Sequence, residues 1–379
     1  MDAAPIELYG LTSTEFASSA KEKVGRGAGI ARLLYRGAIQ DGVFEPESSK
    51  VNAEARRRWA ANFSAKRPRI LRRVEQPGLQ GLTTKLVLRL EDGLEAEVVH
   101  IPMGRGRHTL CVSSQVGCKM GCEFCETAKM GLVRHLKSYE IVGQIMAARH
   151  DAGLDVRNVV FMGMGEALDN YEALVQTIRI LTDPGGAAMG QERLTVCTVG
   201  HVAGIDRLAG EGFKRLNLSV SLNATTDESR RKLMPIARRY DLESLQGALA
   251  RYQPRANFCL GVNYCLMPGI NDSRDDATRI RQFCAPMHRT MVNLIPYNPG
   301  SLPLTRAPEE AEIERFVGWL RDEGLSVRRR ITKGRDVMAA CGQLGNLELR
   351  RSKRALPVTS PIALDDQSGA KTRPPRNER

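Results

Sequence analysis

The sequence has no apolar run approaching the roughly 18 residues that a membrane-spanning helix needs. Its first residues, Met1-Asp2-Ala3-Ala4-Pro5, lack the basic and apolar regions of an export signal. It also lacks an even number of cysteines. Nine exclude a fully paired disulfide scaffold, and without an export signal they are expected as reduced thiols in a cytosol. Aromatics are few, at 5%, but charged residues make up 26%, an ordinary soluble composition rather than a disordered or fibrous one. No internal repeat is visible beyond an alternation of strand and helix patterns. What is present is 379 residues, enough for one large α/β domain and a smaller one, with a core that needs no disulfide staples. The expectation is a cytoplasmic protein with no membrane partner. Its thiols are left as metal ligands, reactive groups or core filler.

The formal net charge of +13 is unevenly spread. Residues 21–73 hold 14 basic and 5 acidic side chains, and residues 350–379 hold 8 and 3. Residues 74–349 are nearly neutral, with 34 and 32. Basic flanks on a neutral middle suit a polyanionic partner, most simply RNA or DNA, although a solvated tail gives the same count.

Residues 1–75 read as a helical, basic accessory domain. It has amphipathic helices at Ser13–Lys23 and Ala53–Phe63, and a basic cluster at Arg56-Arg57-Arg58 beside Trp59. Residues 76–107 read as a connector in which Thr83–Leu90 and Glu95–Ile101 form a β-hairpin around Glu91-Asp92-Gly93. From 108 to 349, six strand patterns each lead into a helical one. The strands are expected at Thr109–Ser113, Asn158–Met162, Leu194–Val199, Leu216–Leu222, Phe258–Leu266 and Met291–Ile295. Six βα units predict a parallel sheet, doubly wound or curved into a partial barrel; periodicity does not separate the two. Residues 350–379 read as a basic, disordered tail.

The densest chemistry is Gly117-Cys118-Lys119-Met120-Gly121-Cys122-Glu123-Phe124-Cys125, a C-x3-C-x2-C loop directly after the first of those strands. Three thiolates on one loop can hold three corners of a 4Fe-4S cluster and leave the fourth iron open to a substrate. Structural zinc wants four ligands, usually as paired C-x2-C knuckles. No second pair is nearby, although Cys111 could be a fourth ligand.

With an aromatic before the last cysteine, the loop resembles the radical S-adenosylmethionine (SAM) superfamily. The string Thr109–Cys118 resembles its RlmN/Cfr branch of RNA adenosine methyltransferases. So do Gly163–Glu166, Leu218–Leu222, Met267–Asp272, Asn293–Pro299 and Ala339–Leu344, in the family order across residues 83–349. The resemblance implies a partial (β/α)6 TIM-like barrel with an N-terminal accessory domain. It implies a 4Fe-4S cluster on Cys118, Cys122 and Cys125, two SAM molecules per turnover, and an electron donor such as flavodoxin or ferredoxin. The substrate implied is RNA, 23S rRNA and also tRNA. The product is 2-methyladenosine or, in the alternative branch, 8-methyladenosine.

The same resemblance assigns roles to single residues. SAM contacts fall on Gly165, Glu166, Cys197, Ser221, Leu222, Asn223 and Asn298. The family has Pro, Ser and His where this chain has Ala167, Cys197 and Asn223. Cys341 becomes the methyl carrier, an S-methylcysteine. Cys111 becomes the resolving thiol, in a disulfide with Cys341 that forms only during turnover. Glu97 becomes the general base, with Glu95 on the same strand face as a substitute. Each has a plainer reading by itself: a small buried cysteine, an exposed strand carboxylate, a tight βα turn. Two other classes stay open. One is an RNA-binding protein with a structural metal; the other is a radical-SAM enzyme acting on a small metabolite.

Overall fold

The computed structural model describes residues 4–345 apart from Ser49; the tail expected at 350–379 lies outside the described residues. One ten-stranded sheet runs through the molecule, its strands side by side in strict chain order. β1 (Arg69–Gln76), β2 (Thr83–Arg89) and β3 (Glu95–Pro102) are antiparallel, and β3 pairs antiparallel with β4 (His108–Cys111). From β4 onward every pairing is parallel. β5 is Asn158–Phe161, β6 Leu194–Thr198 and β7 Asn217–Ser221; β8 is Leu260–Leu266, β9 Thr290–Pro296 and β10 Val327–Arg329.

The expected strands all form, within a few residues at their ends. Two are additional. β10 adds a seventh parallel strand of three residues, too short to carry an alternation signal. β1 lies in the stretch read as helical. Its sequence, Arg-Ile-Leu-Arg-Arg-Val-Glu-Gln, is polar and half-exposed because it is the outer edge of the sheet. The hairpin at 83–102 joins the parallel strands where β3 pairs with β4, and carries the sheet outward to β1.

Buried branched side chains dominate the sheet, as expected of strands covered on their faces. Val159, Val196, Leu218, Val220, Val262, Leu266, Val292 and Leu294 are all essentially inaccessible. The N-terminal helices Ser13–Val24 and Ala53–Asn62 carry Phe16 and Trp59 into an aromatic group with Tyr35 and Phe63, ring centroids 4.9–5.6 Å apart. That group belongs to the same continuous core as the sheet. Polar ties reinforce the docking: Arg67 pairs with Asp151 at 2.8 Å, and Gln40 Nε2 donates to Gly186 O at 2.9 Å.

Candidate active site

Every parallel strand contributes to one mouth, at the C-terminal end of the sheet where such folds place their chemistry. The Cys118–Cys125 loop follows β4, Gly163–Glu166 follows β5, Val199 follows β6 and Leu222-Asn223 follows β7. Met267 follows β8, Tyr297-Asn298 follows β9 and Arg330–Cys341 follows β10.

The cysteine loop is shaped by close backbone approach. Gly117 has φ +74°, and a Cβ there would stand 1.8 Å from the Gly131 oxygen, so only glycine fits. Cys118 N donates to that same oxygen at 3.1 Å, and Glu123 N donates to Leu233 O at 3.0 Å. Cys118 and Cys122 share apolar surroundings with Met120, Leu233, Met234, Met267 and Tyr297, with Cys125 packed alongside. Burial first, then repulsion among the neighbouring thiolates, pushes the Cys122 thiol well up; burial lifts Cys118 to about 12. Such thiols ionise when cations bind them, which the irons of a cluster provide. Cys111, the spacing's other ligand candidate, lies on β4, where Cys341 and Cys197 act on its thiol. Among the described residues no three Cys, His, Asp or Glu converge on a single ion. The donor set fits three corners of a cluster.

Cys341 is distant in sequence but is stapled beside this loop. Glu126 N donates to Gly342 O at 2.8 Å, joining the residues that follow Cys125 and Cys341. Thr127 Oγ1 donates to Leu344 O at 2.6 Å, and Gln343 Nε2 donates to Pro299 O at 3.0 Å. Cys341 is solvent-accessible within the mouth, yet surrounding protein raises its thiol pKa, with the Arg330 guanidinium opposing. Cys111 lies buried on β4; burial, then Cys341 and Cys197, push its thiol well up. All nine cysteines are free, so the Cys111–Cys341 disulfide is absent and both are thiols in this structure.

Glu97, on β3, is buried and doubly held. Lys85 Nζ lies 3.1 Å from one carboxylate oxygen, and Gly345 N donates to the other at 3.0 Å, four residues past Cys341. Lys85 also donates to Met338 O at 3.0 Å. Glu95 lies farther out, opposite Arg89.

The Glu166 carboxylate accepts from Leu168 N at 3.1 Å and Val199 N at 2.8 Å, tying the loops after β5 and β6 together. Burial lifts its pKa to about 7. Gly165 has φ +103°, and a Cβ there would meet the Gln115 side chain at 2.6 Å. Cys197 is buried, pushed up to about 12 by burial, and feels Arg330 and Cys341. Ser221 ends β7 half-exposed, and Leu222 is fully buried.

Two expected SAM contacts are engaged within the protein. Asn223 adopts φ +55°; its Oδ1 accepts from Cys265 N at 2.9 Å and its Nδ2 faces Met234 Sδ at 3.6 Å. Asn298 Oδ1 accepts from Arg335 Nε at 3.1 Å. The mouth also holds residues that sequence reasoning passed over. Cys265 feels both Cys341 and Cys125, and Arg330 acts on Cys111, Cys197 and Cys341. Alternation along β8 was the available signal for Cys265. A cavity of about 600 Å³ elsewhere, lined by Phe44, Phe63, Lys66, Arg67 and Asp151, carries none of these groups.

The comparisons agree with this geometry. Residues 112–279 match the radical SAM superfamily model. A probable dual-specificity RNA methyltransferase RlmN 1 from Protochlamydia amoebophila is 39% identical over 354 residues, 93% of this chain and 98% of that one. The chain belongs to the RlmN family of radical SAM proteins. A dual-specificity RNA methyltransferase RlmN from Syntrophotalea carbinolica is also 39% identical, over 96% of this chain and 93% of its own. Among solved structures, a radical SAM methyltransferase from Sphaerobacter thermophilus superposes with a TM-score of 0.82 at 36% identity, covering 89% of this chain and 99% of its own. This chain thus has the radical SAM fold, a partial barrel whose sheet is parallel from β4 to β10. No helix among the described residues is long and apolar enough to cross a membrane.

Proposed function

We propose that this RlmN-family chain is a radical SAM RNA methyltransferase that methylates C2 of an adenosine in 23S rRNA and in tRNA. It would use two SAM molecules per turnover and electrons from a flavodoxin or ferredoxin. The observation that carries the reading is the stapling of Cys341 beside Cys125, with Cys111 on β4 near enough for Cys341 to act on its thiol. A small-molecule radical enzyme has no need of two further thiols there.

Cys118, Cys122 and Cys125 would hold the cluster. With SAM bound, it supplies the one-electron chemistry that activates an unreactive C–H bond. The Cys341 sulfur carries the methyl group, and Arg330 favours its thiolate against the cost of burial. Glu97 is set to take the proton lost from the adenine ring; Lys85 and Gly345 N fix its carboxylate next to the Cys341 segment. Cys111 would release product by attacking the Cys341 sulfur, leaving a transient S–S bond that reduction returns to the two thiols seen here. The adenine must be unstacked to enter, and the basic N-terminal layer with the edge strand β1 offers phosphate contacts.

Mass spectrometry of nucleosides tests this. RNA incubated with reconstituted protein, SAM and reductant is expected to gain 2-methyladenosine. A gain of 8-methyladenosine, or none from a cluster-loaded protein, contradicts it.

A further inference from the structure

The cluster loop faces one buried cation. Arg230 stands in the run Arg230-Arg231-Lys232, on the helix Asp227–Leu233. Arg231 and Lys232 are exposed, whereas Arg230 has 0% of its surface accessible. Its Nη2 donates to Val199 O at 2.6 Å and its Nε to Leu222 O at 3.4 Å, loop carbonyls at the ends of β6 and β7. Its Nη1 is buried with no hydrogen-bond partner among the described residues. Its helix neighbour Asp227 also favours its charge, though less than Cys122, and accepts from Leu242 N at 2.9 Å instead of from Arg230.

An unmatched cation is costly in such a place unless an anion sits beside it. The group that favours its charge most is the Cys122 thiolate, and the influence is mutual. A guanidinium keeps its charge at neutral pH even in such a place. The backbone fixes the pairing. Leu233 O takes the Glu123 N–H, and Leu233 and Met234 pack in the same apolar cluster as Cys118 and Cys122. Three thiolates around an iron–sulfur core leave a net anion, and reduction adds one more negative charge. A fixed cation therefore favours the reduced state.

Resting on the cluster assignment above, we propose that Arg230 is a positioning residue whose buried guanidinium is the counter-charge of the cluster on its Cys122 side and raises its reduction potential.

The test is an EPR-monitored redox titration of anaerobically reconstituted wild-type, Arg230→Gln and Arg230→Lys proteins without SAM. Arg230→Gln is expected to shift the midpoint negative by about 59 mV or more, a tenfold change in the one-electron equilibrium. Arg230→Lys, which keeps the charge, should stay nearer wild type. A folded Arg230→Gln protein that takes up no cluster while Arg230→Lys does also supports the assignment. An unchanged midpoint overturns it, including when SAM affinity falls, since that moves Arg230 to SAM. So does an Arg230→Gln protein that is unfolded by circular dichroism before any cluster is added, since Arg230 then only braces the two carbonyls. Wild-type protein that takes up no cluster overturns the cluster assignment itself, and this inference with it.

Discussion

Two groups of cysteines meet at the mouth, and they are assembled differently. Cys118, Cys122 and Cys125 sit on one loop, ordered by Gly117 and a few backbone bonds. Cys111 and Cys341 come from opposite ends of the parallel sheet region and meet only because the chain after β10 is stapled to Glu126, Thr127, Pro299 and Glu97. The local set depends on the loop; the distant pair depends on tertiary hydrogen bonds, each worth about 1 kcal/mol. The two should therefore fail independently.

The largest effect is expected from Cys118→Ser, which removes a cluster corner. Iron content, broad visible absorbance and methyl transfer should all be lost together. Cys341→Ala should separate the groups: methylation falls to background while cluster absorbance and reductive SAM cleavage persist. Gln343→Ala weakens a staple without touching either sulfur. Its kcat is expected to fall about 10- to 100-fold through misplacement of Cys341, with iron content unchanged.

A smaller effect concerns Glu166, which braces the loops beside the cluster. Its folded pKa of about 7 lies above its ordinary 4.5, so the folded state keeps a proton that the unfolded chain loses. That contribution is full below pH 4.5 and is lost as pH rises through about 7, a change of about 3 kcal/mol. Melting of cluster-free Glu166→Gln should show a flatter pH dependence across that window than wild type.

The smallest effect lies outside both groups. Arg56 Nε donates to Val51 O, and Arg58 pairs with Glu54 at 2.6 Å and donates to Val24 O at 3.3 Å, so both are tied up within the N-terminal layer. Arg57 is exposed and makes no such contact among the described residues. Arg57→Ala should reduce the salt slope of RNA binding by about one, with kcat at saturating RNA unchanged.

The same contrast explains what was readable in the sequence. The C-x3-C-x2-C spacing is local and stands out unaided, as do strands whose burial makes them apolar runs. Cys341, flanked by small residues, looks like core filler until the fold brings it to Cys125. β1 was missed because an edge strand can be Arg-rich, and β10 because three residues carry no period. Arg230 is hidden inside a basic run that reads as a solvated face, yet it is fully buried. Asn223 and Asn298 are expected at SAM by position; that their side-chain oxygens also accept from Cys265 N and Arg335 Nε is set by neighbours that no local pattern encodes.

The central claim is that Cys341 carries the transferred carbon and Cys111 releases it. The most direct measurement is mass spectrometry of the Cys341 peptide from Cys111→Ala protein after anaerobic turnover with RNA. The expected result is an adenosine-containing fragment joined to the Cys341 sulfur through one carbon. An unmodified Cys341, in a preparation that has nonetheless methylated its RNA, contradicts the account.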